Sequence, residues 1–92
     1  MKIKLKKFGQ YLISRPAGRE AWLVMQAYII KDIKKDELIK IDFTGIKVLT
    51  PSWADEVITK LFQKFDNIKF LNTENSSVKA SLETLRKYSN VK

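Results

Sequence analysis

The sequence contains no cysteine and no histidine, and these two absences exclude several kinds of chemistry. Without cysteine there can be no disulfide, no thiol nucleophile and no cysteine-ligated zinc. Without histidine the chain lacks the usual general base near neutral pH and the commonest metal ligand. With only three glycines, the chain also lacks a glycine-rich loop for binding phosphate.

Long apolar runs are also missing. The longest, from Ala21 to Ile30, is interrupted by Gln26 and is far shorter than the ~20 residues that a membrane span requires. The basic start MKIKLKK has no apolar segment after it, so it does not match a secretory signal. We therefore expect a soluble, cytoplasmic protein.

Positive charge and apolar side chains are abundant. The chain has 18 lysines and arginines against 10 acidic residues, a formal net charge of +8, which favours polyanions or acidic partners through long-range attraction. A length of 92 residues with 45% hydrophobic residues favours one globular domain, residues 1–92.

Hydrophobic periodicity predicts alternating strands and helices. Period-two patterns predict strands near residues 2–6, 38–43 and 68–71, with a short additional strand at 11–13. Helices are predicted with bodies over 21–31, from a cap at Thr50 onward, and from a cap at Asn75 or Ser76 onward. The strand–helix order, repeated three times, predicts an α/β fold with a small, mostly parallel sheet.

Each predicted strand has one apolar face and one face that carries lysine. Because a sheet covered on both faces has continuous apolar strands, this alternation predicts helices mainly on one face and an open opposite face. Five lysines are expected on the open face: Lys2, Lys4, Lys6, Lys40 and Lys69. They either keep the sheet soluble and protect its edges or bind nucleic acid, although only Phe8 supplies an aromatic ring nearby.

The first predicted helix is apolar nearly all round. Such a helix is buried on more than one side. Either it forms a homo-oligomer or another protein interface, with Trp22 or Tyr28 as anchors, or the third helix and the N-terminal segment cover it.

The junction between the middle strand and the second helix concentrates polar groups. Asp55 and Glu56 are expected in the first helical turn, where the helix dipole stabilises them and Arg15 or Arg19 can pair with one of them. Adjacent helical residues point about 100° apart, so the two carboxylates cannot act on one bond as an acid and base. Ser52 has no histidine to activate it. We predict no catalytic residue, no metal site and no cofactor.

The indole of Trp53 is predicted to be partly exposed, because the apolar stripe of the second helix starts at Ala54. An exposed aromatic side chain is the usual anchor of an interface. Asp42 could join Asp55 and Glu56 around a divalent cation, but the three carboxylates lack the spacing of a known site.

Three short motifs stand out: Ser14-Arg15, the strand exit Asp42-Phe43-Thr44-Gly45, and Ser52-Trp53-Ala54-Asp55-Glu56. The last two, with Ile46, Pro51 and Val57 beside them, resemble the STAS superfamily, which is named for sulfate transporters and anti-sigma factor antagonists. The closer resemblance is to a STAS-like branch of small bacterial domains of unknown function, and it covers nearly the whole chain.

The resemblance implies a regulatory role without catalysis. Regulatory members dock onto a kinase-like ATPase, and phosphorylation of a serine at the start of this helix controls docking. Ser52 falls at that position, but Thr50 and Trp53 replace the aspartate and glycine of the regulatory motif. A phosphate on Ser52 would gain from the helix N-terminus and be repelled by Asp55 and Glu56. The alternative is that the Ser52 hydroxyl helps to start the helix.

Three functions therefore stay open. The leading one is a regulatory interaction domain of bacterial signalling that docks a protein partner through residues 50–56. Its predicted contacts are Thr50, Ser52, Trp53, Asp55 and Glu56, supported by Arg15 and Asp42. The second is a basic nucleic-acid-binding module that uses the lysine-bearing face. The third is a binder of a small molecule or anion at the same junction.

Overall fold

The computed structural model describes residues 1–89 and Val91, and in these residues five strands alternate with three helices. The strands are β1 (Lys2–Lys4), β2 (Tyr11–Leu12), β3 (Leu38–Asp42), β4 (Val48–Leu49) and β5 (Asn67–Leu71). Helix α1 covers Arg15–Val24 and continues as a π-helical turn over Met25–Ile29. Helix α2 covers residues 51–64 and contains a π-helical turn at Asp55–Thr59, and helix α3 covers Ser76–Tyr88.

The strands form two parallel sheets. The larger has the order β1-β3-β5, and the smaller pairs β2 with β4. The predicted α/β fold with a mostly parallel sheet is confirmed, but the division into two sheets was not predicted. It arises because the chain leaves β1 in a 3₁₀ turn over Leu5–Phe8, so the predicted first strand ends at Lys4.

The three-stranded sheet is covered on one face. Side chains on that face are fully or partly buried: Ile3, Ile39, Ile41, Ile68 and Phe70. The opposite face carries exposed Lys2, Lys4, Lys40 and Lys69. Lys6 does not belong to this face, because it lies in the 3₁₀ turn with its aliphatic chain against Gly45.

Helix α2 supplies the largest part of the core. Ala54, Val57, Ile58 and Leu61 are fully buried, and Phe65 at its end is nearly so. This spacing is the predicted apolar stripe, and the π-helical turn does not interrupt it. Thr50 caps the helix, as predicted, and Pro51 occupies its first position.

Helix α1 is buried on one side only. Trp22, Met25 and Ile30 are in the core, whereas Leu23, Val24 and Tyr28 are exposed. Trp22 therefore cannot anchor an interface. The helix packs mainly on α2. This differs from the expectation that the third helix, α3, would cover it. Gly18 permits this packing, because a Cβ at that position would lie 2.9 Å from the carbonyl oxygen of Trp53.

No helix within residues 1–89 is both long and apolar enough to cross a bilayer.

Candidate functional site

The starts of α1 and α2 lie side by side. Strands β2 and β4 are parallel neighbours, so their carboxyl ends lead into the two helices from the same direction. The Ser14 hydroxyl accepts a hydrogen bond from the Ala17 N–H at 3.2 Å. The Thr50 hydroxyl accepts from the Trp53 N–H at 3.3 Å and donates to the Ile13 carbonyl. Thr50 thus caps one helix and binds the chain that enters the other.

Trp53 lies inside this junction, and the prediction of partial exposure is wrong. Its side chain is only 2% exposed, and its ring centroid lies 6.3 Å from that of Phe8. The close approach of α1 at Gly18 covers the first turn of α2. The buried stripe therefore begins one residue earlier than its spacing predicts, and Trp53 has no surface to offer a partner.

Arg15 joins the two helix starts electrostatically. Its Nη1 lies 2.9 Å from Oδ2 of Asp55 and 2.5 Å from Oε2 of Glu56. Glu56 also accepts a hydrogen bond from Lys60 Nζ at 2.9 Å, and Arg19 Nε lies 3.6 Å from the same oxygen, Oε1. The predicted pairing with Arg15 or Arg19 is confirmed, and Glu56 pairs with both.

These contacts favour the ionised forms of Glu56 and Arg15. The ammonium of Lys60 and then the guanidinium of Arg15 lower the pKa of Glu56 to about 2. Asp55 and then Glu56 raise the pKa of Arg15. The side chain of Glu56 is 10% exposed, against 36% for Asp55. Glu56, predicted as a partner contact, therefore stabilises the helix pair, while Asp55 stays accessible.

A surface cleft of about 240 Å³ opens between the start of α2 and the end of α3. Arg15, Ser52 and Asp55 line one side, and Tyr88 and Ser89 line the other. Tyr88 is 82% exposed, and the Ser89 hydroxyl donates to Asp55 Oδ1 at 3.4 Å. Tyr88 was not predicted as a site residue, although its place just outside the stripe formed by Val78, Leu82 and Leu85 is compatible with exposure.

Ser52 is exposed at the mouth of this cleft. Its hydroxyl has no hydrogen-bond partner in the described part of the chain, because Thr50 supplies the cap. The predicted helix-start role of the Ser52 hydroxyl is therefore wrong, and the hydroxyl is accessible from solvent.

Asp42 is separate from the junction. It is buried at the end of β3, where it accepts hydrogen bonds from Asn72 Nδ2 at 2.8 Å and from the backbone and hydroxyl of Thr44 at 3.0 and 2.7 Å. Lys2 Nζ lies 3.5 Å from its second oxygen. The Asn72 amide, followed by the Thr44 N–H, holds the pKa of Asp42 well below its usual range. Asp42 thus links β3 to Lys2 of β1 and to the residue that follows β5.

Asp42, Asp55 and Glu56 do not meet around a common point. Among residues 1–89 and Val91, no group of three or more acidic side chains is placed to hold a metal ion. Asp42 was expected to support the junction, but its partners are Asn72, Thr44 and Lys2, which lie elsewhere.

The exposed lysines of the sheet lie in a row. Lys2 is directly opposite Lys40, and Lys40 is directly opposite Lys69, so three like charges cross the sheet in register. Lys4 is opposite Asp42 in the next row. Phe8 contacts Trp53 instead of extending this face, so it supplies no stacking ring beside the lysines.

A comparison with protein families identifies the fold type. The model of the STAS-like domain of unknown function (DUF4325) matches residues 27–78, which include β3, β4, β5 and the whole of α2. No curated protein and no solved structure matches the chain significantly. Because the family match covers more than half of the chain and the α/β architecture agrees with it, the chain belongs to the family of STAS-like domains of unknown function.

Proposed function

We propose that this STAS-like domain is a non-enzymatic interaction module that binds a regulatory protein partner through the paired helix starts. One observation carries the proposal: exposed Ser52, half-exposed Asp55 and the highly exposed Tyr88 border a single cleft. Open α/β sheets commonly present their binding sites at the carboxyl ends of strands, where this cleft lies.

The residues of the junction divide into two roles under this proposal. Tyr88 takes the anchoring role first assigned to Trp53, because a large exposed aromatic ring can bury much area at low entropic cost. Ser52 and Asp55 supply polar contacts beside it. Thr50, Trp53 and Glu56 set the shape of the surface from within: Thr50 binds the chain that enters α1, Glu56 pairs with Arg15 of α1, and the buried ring of Trp53 packs near Phe8.

The partner that suits this role is a kinase-like ATPase, by analogy with regulatory STAS domains. An accessible Ser52 hydroxyl makes this residue a candidate phosphoacceptor. Arg15 lines the same cleft, but its guanidinium already contacts two carboxylates, so a phosphate would have to compete for it. Phosphorylation of Ser52 is thus proposed to rearrange the ion pairs of the cleft and to weaken docking.

The test compares two tyrosines that are equally exposed. Tyr88 and Tyr28 are both 82% exposed, but only Tyr88 lies at the cleft. Tagged wild type, Tyr88→Ala and Tyr28→Ala are used to capture proteins from lysate of the source cell, with quantification by mass spectrometry. We expect Tyr88→Ala to reduce capture of a specific partner by about tenfold or more, because truncating an anchor typically costs 2 kcal/mol or more. Equal capture by all three proteins would contradict the proposal.

A second candidate function is nucleic-acid binding by the open sheet face. The in-register row of Lys2, Lys40 and Lys69 favours it, because adjacent cations would attract the phosphates of a nucleic acid. Affinity for mixed DNA and RNA should then fall with log salt, by a slope of about −0.7 to −0.9 for each phosphate contacted. Absence of binding at about 150 mM salt would contradict this candidate, because contacts to nucleic-acid phosphates would supply most of the affinity of a lysine surface.

Self-association through α1 is a separate proposal. It rests on the exposed side chains of Leu23, Val24 and Tyr28. The Tyr28→Ala variant serves here too, because sedimentation would report whether removing this ring changes the oligomeric state.

A further inference from the structure

Strand β5 has one unpaired edge. Its other side pairs with β3, and the Leu71 carbonyl accepts from the Phe43 N–H on that side at 3.0 Å. In a parallel pair, alternate residues direct both backbone groups to the same neighbour. The N–H and C=O groups of Ile68 and Phe70 therefore point away from β3, where no strand of the described chain lies beside them.

A cleft of about 550 Å³ runs between β5 and the outer side of α3. It exists because α3 packs on α2 and β4 and not closely on β5. Ile68, Phe70 and Leu82 give it an apolar part. Lys69, Lys79 and Arg86 surround that part, with Glu83 as the acidic exception. The cleft thus combines a hydrogen-bonding strand edge, an apolar floor and an excess of positive charge.

Lys69 also ends the row of lysines that crosses the sheet. Like charges directly opposite each other in a sheet are destabilising. A strand added beside β5 would place one of its residues opposite Lys69, and a carboxylate there would offset the repulsion. The neighbouring residues of that strand would point to the other face, toward the apolar floor of the cleft.

We propose that β5 accepts an extended acidic peptide as a fourth strand of the sheet. The peptide would alternate carboxylate side chains, which lie on the face of Lys69, with apolar side chains that fill the cleft. A second copy of this chain suits the edge poorly, because pairing two β5 strands would bring their lysines together between molecules of charge +8.

The probe is a fluorescent peptide of about ten residues in which valine alternates with glutamate, a length that matches natural strands. The first comparison peptide has lysine in place of glutamate. The second has alternate backbone amides N-methylated, which removes hydrogen bonds without changing charge. We expect the glutamate peptide to bind at least about tenfold more tightly than either, because both charge and backbone pairing contribute.

Variants of the protein locate the binding. Lys69→Glu should weaken binding of the glutamate peptide and strengthen that of the lysine peptide. Lys4→Glu, on the far strand of the same face, should leave the preference unchanged. Hydrogen exchange should show new protection at the Ile68 and Phe70 amides when the peptide is bound, a change that a general surface attraction would not produce.

Two outcomes would overturn the proposal. In the first, N-methylation leaves affinity unchanged, which would mean that the peptide binds by charge alone. In the second, the peptide gives Ile68 and Phe70 no protection, whether or not an oligonucleotide protects the same strand edge. None of these measurements involves Tyr88 or Ser52, so the result is independent of the proposed docking at the helix starts.

Discussion

The paired helix starts and the open sheet face are both rich in charge, but they use it differently. At the helix starts one guanidinium serves two carboxylates, and Glu56 contacts three cations in total. On the sheet face three lysines stand opposite one another, and in the described chain only Lys2 of these has an acidic partner. Charge holds the first region together, whereas in the second it is left available to a ligand.

The difference matters because the value of a charge depends on its surroundings. A largely buried ion is costly to leave without its partner, and removing one member of such a pair destabilises the protein strongly. An exposed lysine that faces other lysines contributes nothing comparable and costs a little through repulsion. Substitutions in the two regions should therefore change stability by different amounts and even in opposite directions.

The largest effect is expected from the apolar centre of the helix starts. Trp53→Ala should lower the free energy of unfolding by about 3–5 kcal/mol, because a fully buried indole leaves a cavity that the structure cannot fill. Urea denaturation measures the change. Tyr88→Ala, the matched aromatic truncation at the surface, should remain within about 0.5 kcal/mol of wild type. A similar loss in both variants would remove the distinction between an internal support and an exposed anchor.

A smaller and pH-dependent effect is expected at Glu56. Its pKa falls from an ordinary 4.5 to about 2 in the folded protein. A depressed carboxyl pKa stabilises the fold above the unfolded-state value, and the stabilisation is lost as pH falls from 4.5 toward 2. Allowing for solvent screening, Glu56→Gln should cost about 1–3 kcal/mol at pH 7.

The pH dependence of this stability difference distinguishes the loss of an ion pair from a simple packing defect. Measured between pH 7 and pH about 2.5, the advantage of wild type over Glu56→Gln should shrink as the carboxylate of wild type is protonated. The control is Glu74→Gln, an exposed position with no ion pair in the described structure, where the difference from wild type should stay near zero. A constant difference at all pH values would show that charge does not join the helix starts.

The smallest effect is expected on the sheet face, and its sign should be reversed. Lys40→Gln removes the middle charge of the row and should raise the free energy of unfolding by about 0.2–1 kcal/mol. Lys31→Gln, an exposed lysine in the turn after α1, controls for the general loss of positive charge. A clear loss of stability in Lys40→Gln alone would mean that the row is a stabilising network and not a surplus of charge.

Local sequence patterns were sufficient for much of the fold. The stripe of α2, its cap at Thr50 and the alternation of β3 and β5 each depend on neighbours a few residues apart, so periodicity predicts them. The burial of Trp53 depends instead on Gly18, which is distant in sequence and looks only like a weak point of the first helix. Strand β4 has two residues, too few to show a period.

The candidate site was only partly predictable for the same reason. Arg15 and the two carboxylates could be paired from the dipole and charge of the helix starts. Tyr88 could not be placed beside Ser52, because their proximity depends on how the end of α3 lies against the start of α2. The separation of Asp42 from the junction likewise depends on Asn72, which follows a different strand.

The wholly parallel order of the larger sheet also governs how the chain can fold. Lys2 pairs with Lys40 and Leu38 pairs with Asn67, so each pairing must close a loop that contains a complete helix. Loop closure of this kind costs entropy before any contact is gained, which makes folding slower than in a helical bundle of similar length. During synthesis β3 can join β1 before β5 has emerged, and for that interval the strand that carries Ile39 and Ile41 has one unpaired side. The newly made chain would then be most prone to aggregation just before β5 leaves the ribosome.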